Sequence, residues 1–189
     1  GTVVIDADGD GLDSNGSLTI SGGLVLVSGP TNSGNGALDY DGSCTVTGGV
    51  LIAAGSAGMA QAPGSSSTQA VLMITYTSTQ PAGTLIGLTD AKGGLTAAFS
   101  PAKAYQSVII CTPTLSQGER YTLYSGGTCS GGDISGYAAS GTLSGSAELS
   151  TVTLSGVVTS VRSDGSAAGG AGGGMAPGGG GGFGGRPGR

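Results

Sequence analysis

One repeat constrains this chain more than any other feature. The segment from Gly9 through Leu12, Asp13 and Gly16 to Ile20 and Gly22-Gly23 returns, slightly altered, from Gly34 through Leu38, Asp39 and Gly42 to Val46 and Gly48-Gly49. Asp13 to Asp39, Gly16 to Gly42 and Gly23 to Gly49 all span the same step along the chain. Repeats of this length, made of short apolar runs between Gly, Asn and Asp turns, are the mark of a solenoid. Each unit has one apolar face that it cannot bury alone, so consecutive units must stack.

The apolar runs support stacked strands. Val3-Val4-Ile5, Val25-Leu26-Val27 and Leu51-Ile52-Ala53 follow one another, the first step being shorter than the second. This predicts turns of a parallel β-helix, the second carrying a short insertion near Pro30-Thr31-Asn32. Strand alternation points Leu18 and Ile20 inward and Thr19 outward. Stacking then sets Thr19 beside Thr45 and Ile20 beside Val46, and places Cys44, at the position of Leu18, in the core. Gly22-Gly23 and Gly48-Gly49 supply corners that need positive φ or close backbone approach.

The rhythm changes beyond residue 67. Apolar runs at 70–76, 84–88, 95–99, 107–111, 121–124 and 151–161 alternate with turns such as Gly93-Gly94 and Ser116-Gln117-Gly118-Glu119. They read as antiparallel strands packed on the helix. Residues 125–148, rich in Gly and Ser, read as a long loop with short strands. Residues 163–189 are a Gly-rich tail with the composition of a flexible coil. The predicted organisation is all-β: parallel β-helix turns over 1–67, an antiparallel segment over 68–162, and the tail over 163–189. Gly1 in place of an initiator Met predicts a trimmed product or a piece of a longer chain.

Composition narrows the chemistry. The chain has no His, so imidazole-based zinc sites and Ser-His-Asp catalysis are excluded. A net charge of −5 supplies no basic footprint for nucleic acid. No apolar run reaches the ~18 residues expected of a membrane-spanning helix. The Gly tail lacks the Lys-Ser/Thr ending of a phosphate loop. Abundant Ser, Thr and Gly with few Lys suit an extracellular or cell-surface protein. Three cysteines, Cys44, Cys111 and Cys129, leave at least one without an internal partner. Cys111 and Cys129 flank a hairpin and are candidates for a bridge.

The chemistry that remains is acidic. Asp6, Asp8, Asp10 and Asp13 lie close together in one turn, and Asp39 and Asp41 follow one repeat later. Carboxylates alternating with Gly can wrap a hard cation, since Ca²⁺ takes about 6–8 oxygen ligands. The run Asp6-x-Asp8-x-Asp10-Gly11 imitates the start of an EF-hand loop. Its twelfth position is Ser17 instead of Glu, and no helices flank it, so the expected site is a Ca²⁺ at a β-helix corner. The same residues also serve as solvated turn formers. Asn15, Asn35 and Tyr40, set among the acidic turns, are the candidate ligand contacts. Catalysis is not expected: Ca²⁺-assisted elimination needs an Arg or Lys base beside the metal, and the repeat contains neither.

The segments 8–20 and 29–41 resemble a clostridial-type family of carbohydrate-binding domain-containing proteins. The resemblance extends through Ser100-Pro101-Ala102-Lys103, Gly118-Glu119-Arg120-Tyr121-Thr122 and Tyr124-Ser125-Gly126-Gly127 to about Val161. It implies a right-handed parallel β-helix, bound Ca²⁺ and non-catalytic attachment to acidic plant polysaccharide outside the cell. The family usually carries further Gly/Asp turns ahead of this point, and the three cysteines fall outside its pattern. A second expectation comes from the strand at Val3. An uncovered first rung invites strand addition, and head-to-tail joining of that kind builds homo-oligomers or filaments.

Overall fold

A computed structural model describes residues 1–131 and 134–168. The predicted tail from residue 169 onward lies outside them. The described residues contain fifteen strands and no helix. The repeat region forms β1 (Thr2–Asp6), β2 (Leu12–Ser14), β3 (Leu18–Ser28), β4 (Leu38–Tyr40) and β5 (Cys44–Gly55). β1, β3 and β5 pair in parallel, with Val3 beside Val25 and Val25 beside Leu51. β2 and β4 form a second parallel ladder that sets Leu12 beside Leu38. The registers predicted for Thr19 with Thr45, Ile20 with Val46, and Leu18 with Cys44 are all present.

Parallel stacking ends at β5. Next come β6 (Val71–Gln80), β7 (Ile86–Asp90), β8 (Leu95–Phe99), β9 (Tyr105–Cys111) and β10 (Arg120–Ser125). The last strands are β11 (Thr128–Ser130), β12 (Tyr137–Ala138), β13 (Thr142–Ser144), β14 (Ala147–Thr153) and β15 (Val158–Arg162). The main sheet has the order β1-β3-β5-β9-β6-β15, so it runs without a break across residue 67. β9 is antiparallel to both β5 and β6. The all-β expectation holds, but in place of stacked β-helix turns alone the repeat contributes parallel ladders to a sheet that continues with antiparallel strands. The purely antiparallel reading of 68–162 is corrected too, because β15 pairs with β6 in parallel. After β14 the chain leaves one sheet edge and joins the edge of the other through 154–157, where Leu154 is buried.

The main sheet is buried on both faces. This explains why its strands read as unbroken apolar runs such as Val25-Leu26-Val27 and Val108-Ile109-Ile110. Leu26, Ile52, Leu72, Ile74, Val108 and Ile110 face the second sheet, of order β12-β8-β7-β10-β14, and meet its Ile86, Leu88, Phe99 and Leu123. The alternate residues Val25, Val27, Leu51, Ala53, Val71, Ile109 and Cys111 face the other way. They pack on Ile20, Ala37, Leu38, Cys44 and Val46, the residues around the β2–β4 ladder. Three layers result, with the main sheet in the middle.

Gly23 and Gly49 occupy equivalent corners and both have φ of 82°. A Cβ at Gly49 would run into the backbone of Gly22 and Gly23 on the rung before, so the tight stack requires glycine there. All three cysteines are free thiols, which corrects the proposed bridge. Strand alternation turns Cys111 toward the β2–β4 layer. Cys129 packs with Leu85, Ala98 and Ala138, on the far side of the second sheet.

Candidate functional site: the acidic turns

The ladders localise the difference between the shorter and the longer repeat step. Asp6 pairs with Ser28 but Leu12 with Leu38, so the extra residues lie between Ser28 and Leu38. This insertion is laced to the preceding turn. The Asn32 side-chain amide donates to the Asp8 carbonyl at 3.0 Å, and the Gly36 amide donates to the Asp10 carboxylate at 2.8 Å. The Asp10 carboxylate therefore holds two successive turns at a fixed spacing.

The β2–β4 ladder sets Asp13 directly beside Asp39. Partial burial and the charges of Asp10, Asp13 and Asp41 raise the Asp39 carboxyl above the ordinary carboxylate range, burial being the larger cause. These four aspartates share one field. Asp6 and Asp8 do not join them. Both pair with Lys103, at 3.1 Å for Asp6, and the shorter contact with Asp8 pulls that carboxyl below its usual range. Lys103 reaches this point because its loop is anchored: the Ala102 amide donates to Ser28 Oγ at 3.0 Å. The six-aspartate cluster of the sequence thus separates into Asp6 and Asp8, which are ion-paired, and four aspartates that have no ion pair among the described residues.

The remaining candidates differ in setting. Asn15 is exposed. Asn35 is half-buried, and its carbonyl accepts a hydrogen bond from the Ser56 hydroxyl at 2.7 Å. Tyr40 packs its ring against the core cluster and donates its hydroxyl to the Ala62 carbonyl at 2.6 Å. The Tyr40 ring is thus part of the wall behind the turns, while Asn15 stands exposed and Asn35 lies half-buried between turns. Among the described residues, no group of three or more acidic or Cys side chains converges as a metal cage. Asp13 and Asp39 form instead a pair of neighbouring carboxylates on an open ladder.

Two features escaped the sequence reading. Lys103 brings a cation to the acidic turns from well beyond the repeat; its signal was a lone Lys in a charge-poor stretch. A cleft at the far end of the second sheet gathers Lys92, Glu119 and Arg120, and only the pairing of β7 with β10 brings those positions together. Comparison with family models, with curated proteins and with solved structures finds no match to this chain.

Proposed function

We propose that this chain is a non-catalytic, extracellular polysaccharide-binding protein whose acidic turns take an acidic sugar chain through bridging Ca²⁺. The observation that carries the reading is the register pair Asp13–Asp39. Two carboxylates held side by side, one with a raised pKa, gain from a divalent cation that cancels their repulsion. They offer at most four oxygens, fewer than the about 6–8 that Ca²⁺ takes, so uronate carboxylates and water complete the shell. An acidic protein and an acidic polymer repel without such an ion. We read the parallel ladders as rungs of a right-handed β-helix, the hand nearly all parallel crossovers adopt. Retention on insoluble polygalacturonate in Ca²⁺ tests the site. The double variant Asp13→Asn/Asp39→Asn is expected to lose retention, and undiminished retention would remove these residues from the site.

A second reading, self-assembly into an extracellular filament, draws on β1. That strand is an edge of the main sheet, with Val3 47% and Val4 51% exposed. Both core faces therefore run out to an open row of backbone donors and acceptors. At the opposite edge, the Ala168 amide donates to the Ser160 carbonyl and the Arg162 amide to the Ser166 carbonyl, so β15 is already partly covered. The filament reading thus favours addition at β1 by a strand other than β15.

A further inference from the structure

The second sheet carries a cleft away from the acidic turns. It has a volume of about 390 Å³ and lies where the turn after β7 meets the start of β10. Its size falls in the range of small-ligand sites, about 300–1,000 Å³. Lys92 and Arg120 both line it. Four cationic side chains lie among the described residues: Lys92, Lys103, Arg120 and Arg162. Lys103 is engaged by Asp6 and Asp8, and Arg162 feels Asp164. Among the described residues, neither Lys92 nor Arg120 has a carboxylate within ion-pair distance.

The acids of the cleft have separate duties. Asp90 Oδ1 accepts the backbone amides of Lys92 and Gly94, both at 2.8 Å, and so closes the turn. The cleft floor is equally fixed. The Tyr121 ring is buried, its hydroxyl donates to the Thr114 carbonyl at 3.1 Å, and the Ser116 amide donates back to it at 2.9 Å. Lys92 and Arg120 line the cleft together with Asp90, Glu119 and Ser116, a mixed set that matches a sugar bearing both a carboxylate and hydroxyls. The guanidinium takes a carboxylate in bidentate fashion, the ammonium adds a point charge, and Glu119 accepts from ring hydroxyls.

We infer that the Lys92–Arg120 cleft is a binding subsite for a hexuronate residue, using its carboxylate directly and without a metal. This rests on the acidic-polysaccharide reading and adds a second, cationic contact to it. The two contacts lie on different layers of the fold, the acidic turns on the β2–β4 ladder and the cleft on the second sheet.

The test is calorimetry with trigalacturonate and its methyl ester in Ca²⁺, comparing the unaltered protein, Lys92→Ala/Arg120→Ala and Asp13→Asn/Asp39→Asn. The cleft variant is expected to bind the acid about tenfold or more weakly, and the ester, lacking the charge, equally weakly with or without the substitutions. Both altered positions are exposed, and matched unfolding midpoints check that the variant folds. In the unaltered protein the Arg120 Nε resonance should shift on adding trigalacturonate. If the cleft variant binds like the unaltered protein and Arg120 does not shift, the subsite is wrong, even where the aspartate variant shows that the acidic turns bind. If the unaltered protein binds neither trigalacturonate nor polygalacturonate, the polysaccharide reading falls and the subsite falls with it.

Discussion

Asp13 and Asp39 stand side by side on the parallel β2–β4 ladder, one repeat apart in sequence. Their pairing follows from the repeat and is opposed by their charge. Like charges on adjacent strands are destabilising by up to about 1 kcal/mol. Asp39→Asn is therefore expected to raise the urea midpoint at neutral pH in the absence of divalent ions. The sign with pH follows from the raised carboxyl of Asp39. The folded protein holds that proton more tightly than the unfolded chain, so the penalty is present at neutral pH. It fades as pH falls through the raised value toward the ordinary one. The variant's advantage should shrink over the same window. Added Ca²⁺ should stabilise the unaltered protein and not the variant.

Lys103 links the 100–104 loop to the first acidic turn through Asp6 and Asp8. Asp8 has its carboxyl lowered, chiefly by its hydrogen bond from Lys103. Its contribution is present above the ordinary carboxylate pKa and is lost as pH falls through the depressed value. Because the pair is solvent-exposed, the global stability change on Lys103→Gln should be small and salt-dependent. The direct readout is the Asp8 carboxyl in a carbon-13 NMR titration. It should return toward the usual carboxylate range in the variant, and an unmoved titration would refute the contact.

The main sheet joins the repeat to the rest of the chain through β5 and β9. Ile52, buried on β5, faces the second sheet, and Leu38, buried on β4, belongs to the opposite layer. Each truncation to Ala should cost about 2–5 kcal/mol. Both should move a single unfolding transition, because one sheet carries both cores. Two separated transitions, each sensitive to one substitution, would mean that the repeat folds independently.

Cys44 and Cys111 are buried, while Cys129 is partly exposed. Burial pushes the Cys44 thiol up to about 11 and raises that of Cys111 as well. In native protein at mildly alkaline pH, iodoacetamide should modify Cys129 first and leave the other two until unfolding. Mass spectrometry of the alkylated peptides gives the order, and early modification of Cys44 would contradict its place in the core.

What was legible in the sequence followed from local spacing. The repeat carried its own register, so Ile20 beside Val46 and the insertion near Pro30 could be read directly. The glycine corners were equally plain, since Gly23 and Gly49 differ by one repeat and share the same φ. What was hidden depends on contacts between distant segments. No periodicity announces that β9 lines up against β5, or that β15 returns to pair with β6. The site was hidden for the same reason. Six aspartates looked like one cluster until Lys103, remote in sequence, took two of them. Cys111 and Cys129 looked like partners until strand alternation put the second sheet between them.

The central claim is that calcium joins the acidic turns to an acidic polysaccharide. Titration calorimetry of the unaltered protein with polygalacturonate, in Ca²⁺ and then in excess chelator, addresses it most directly. The account predicts saturable binding in Ca²⁺ that weakens strongly in chelator, leaving only the residual contribution of the Lys92–Arg120 cleft. Binding of equal strength in both conditions would contradict it.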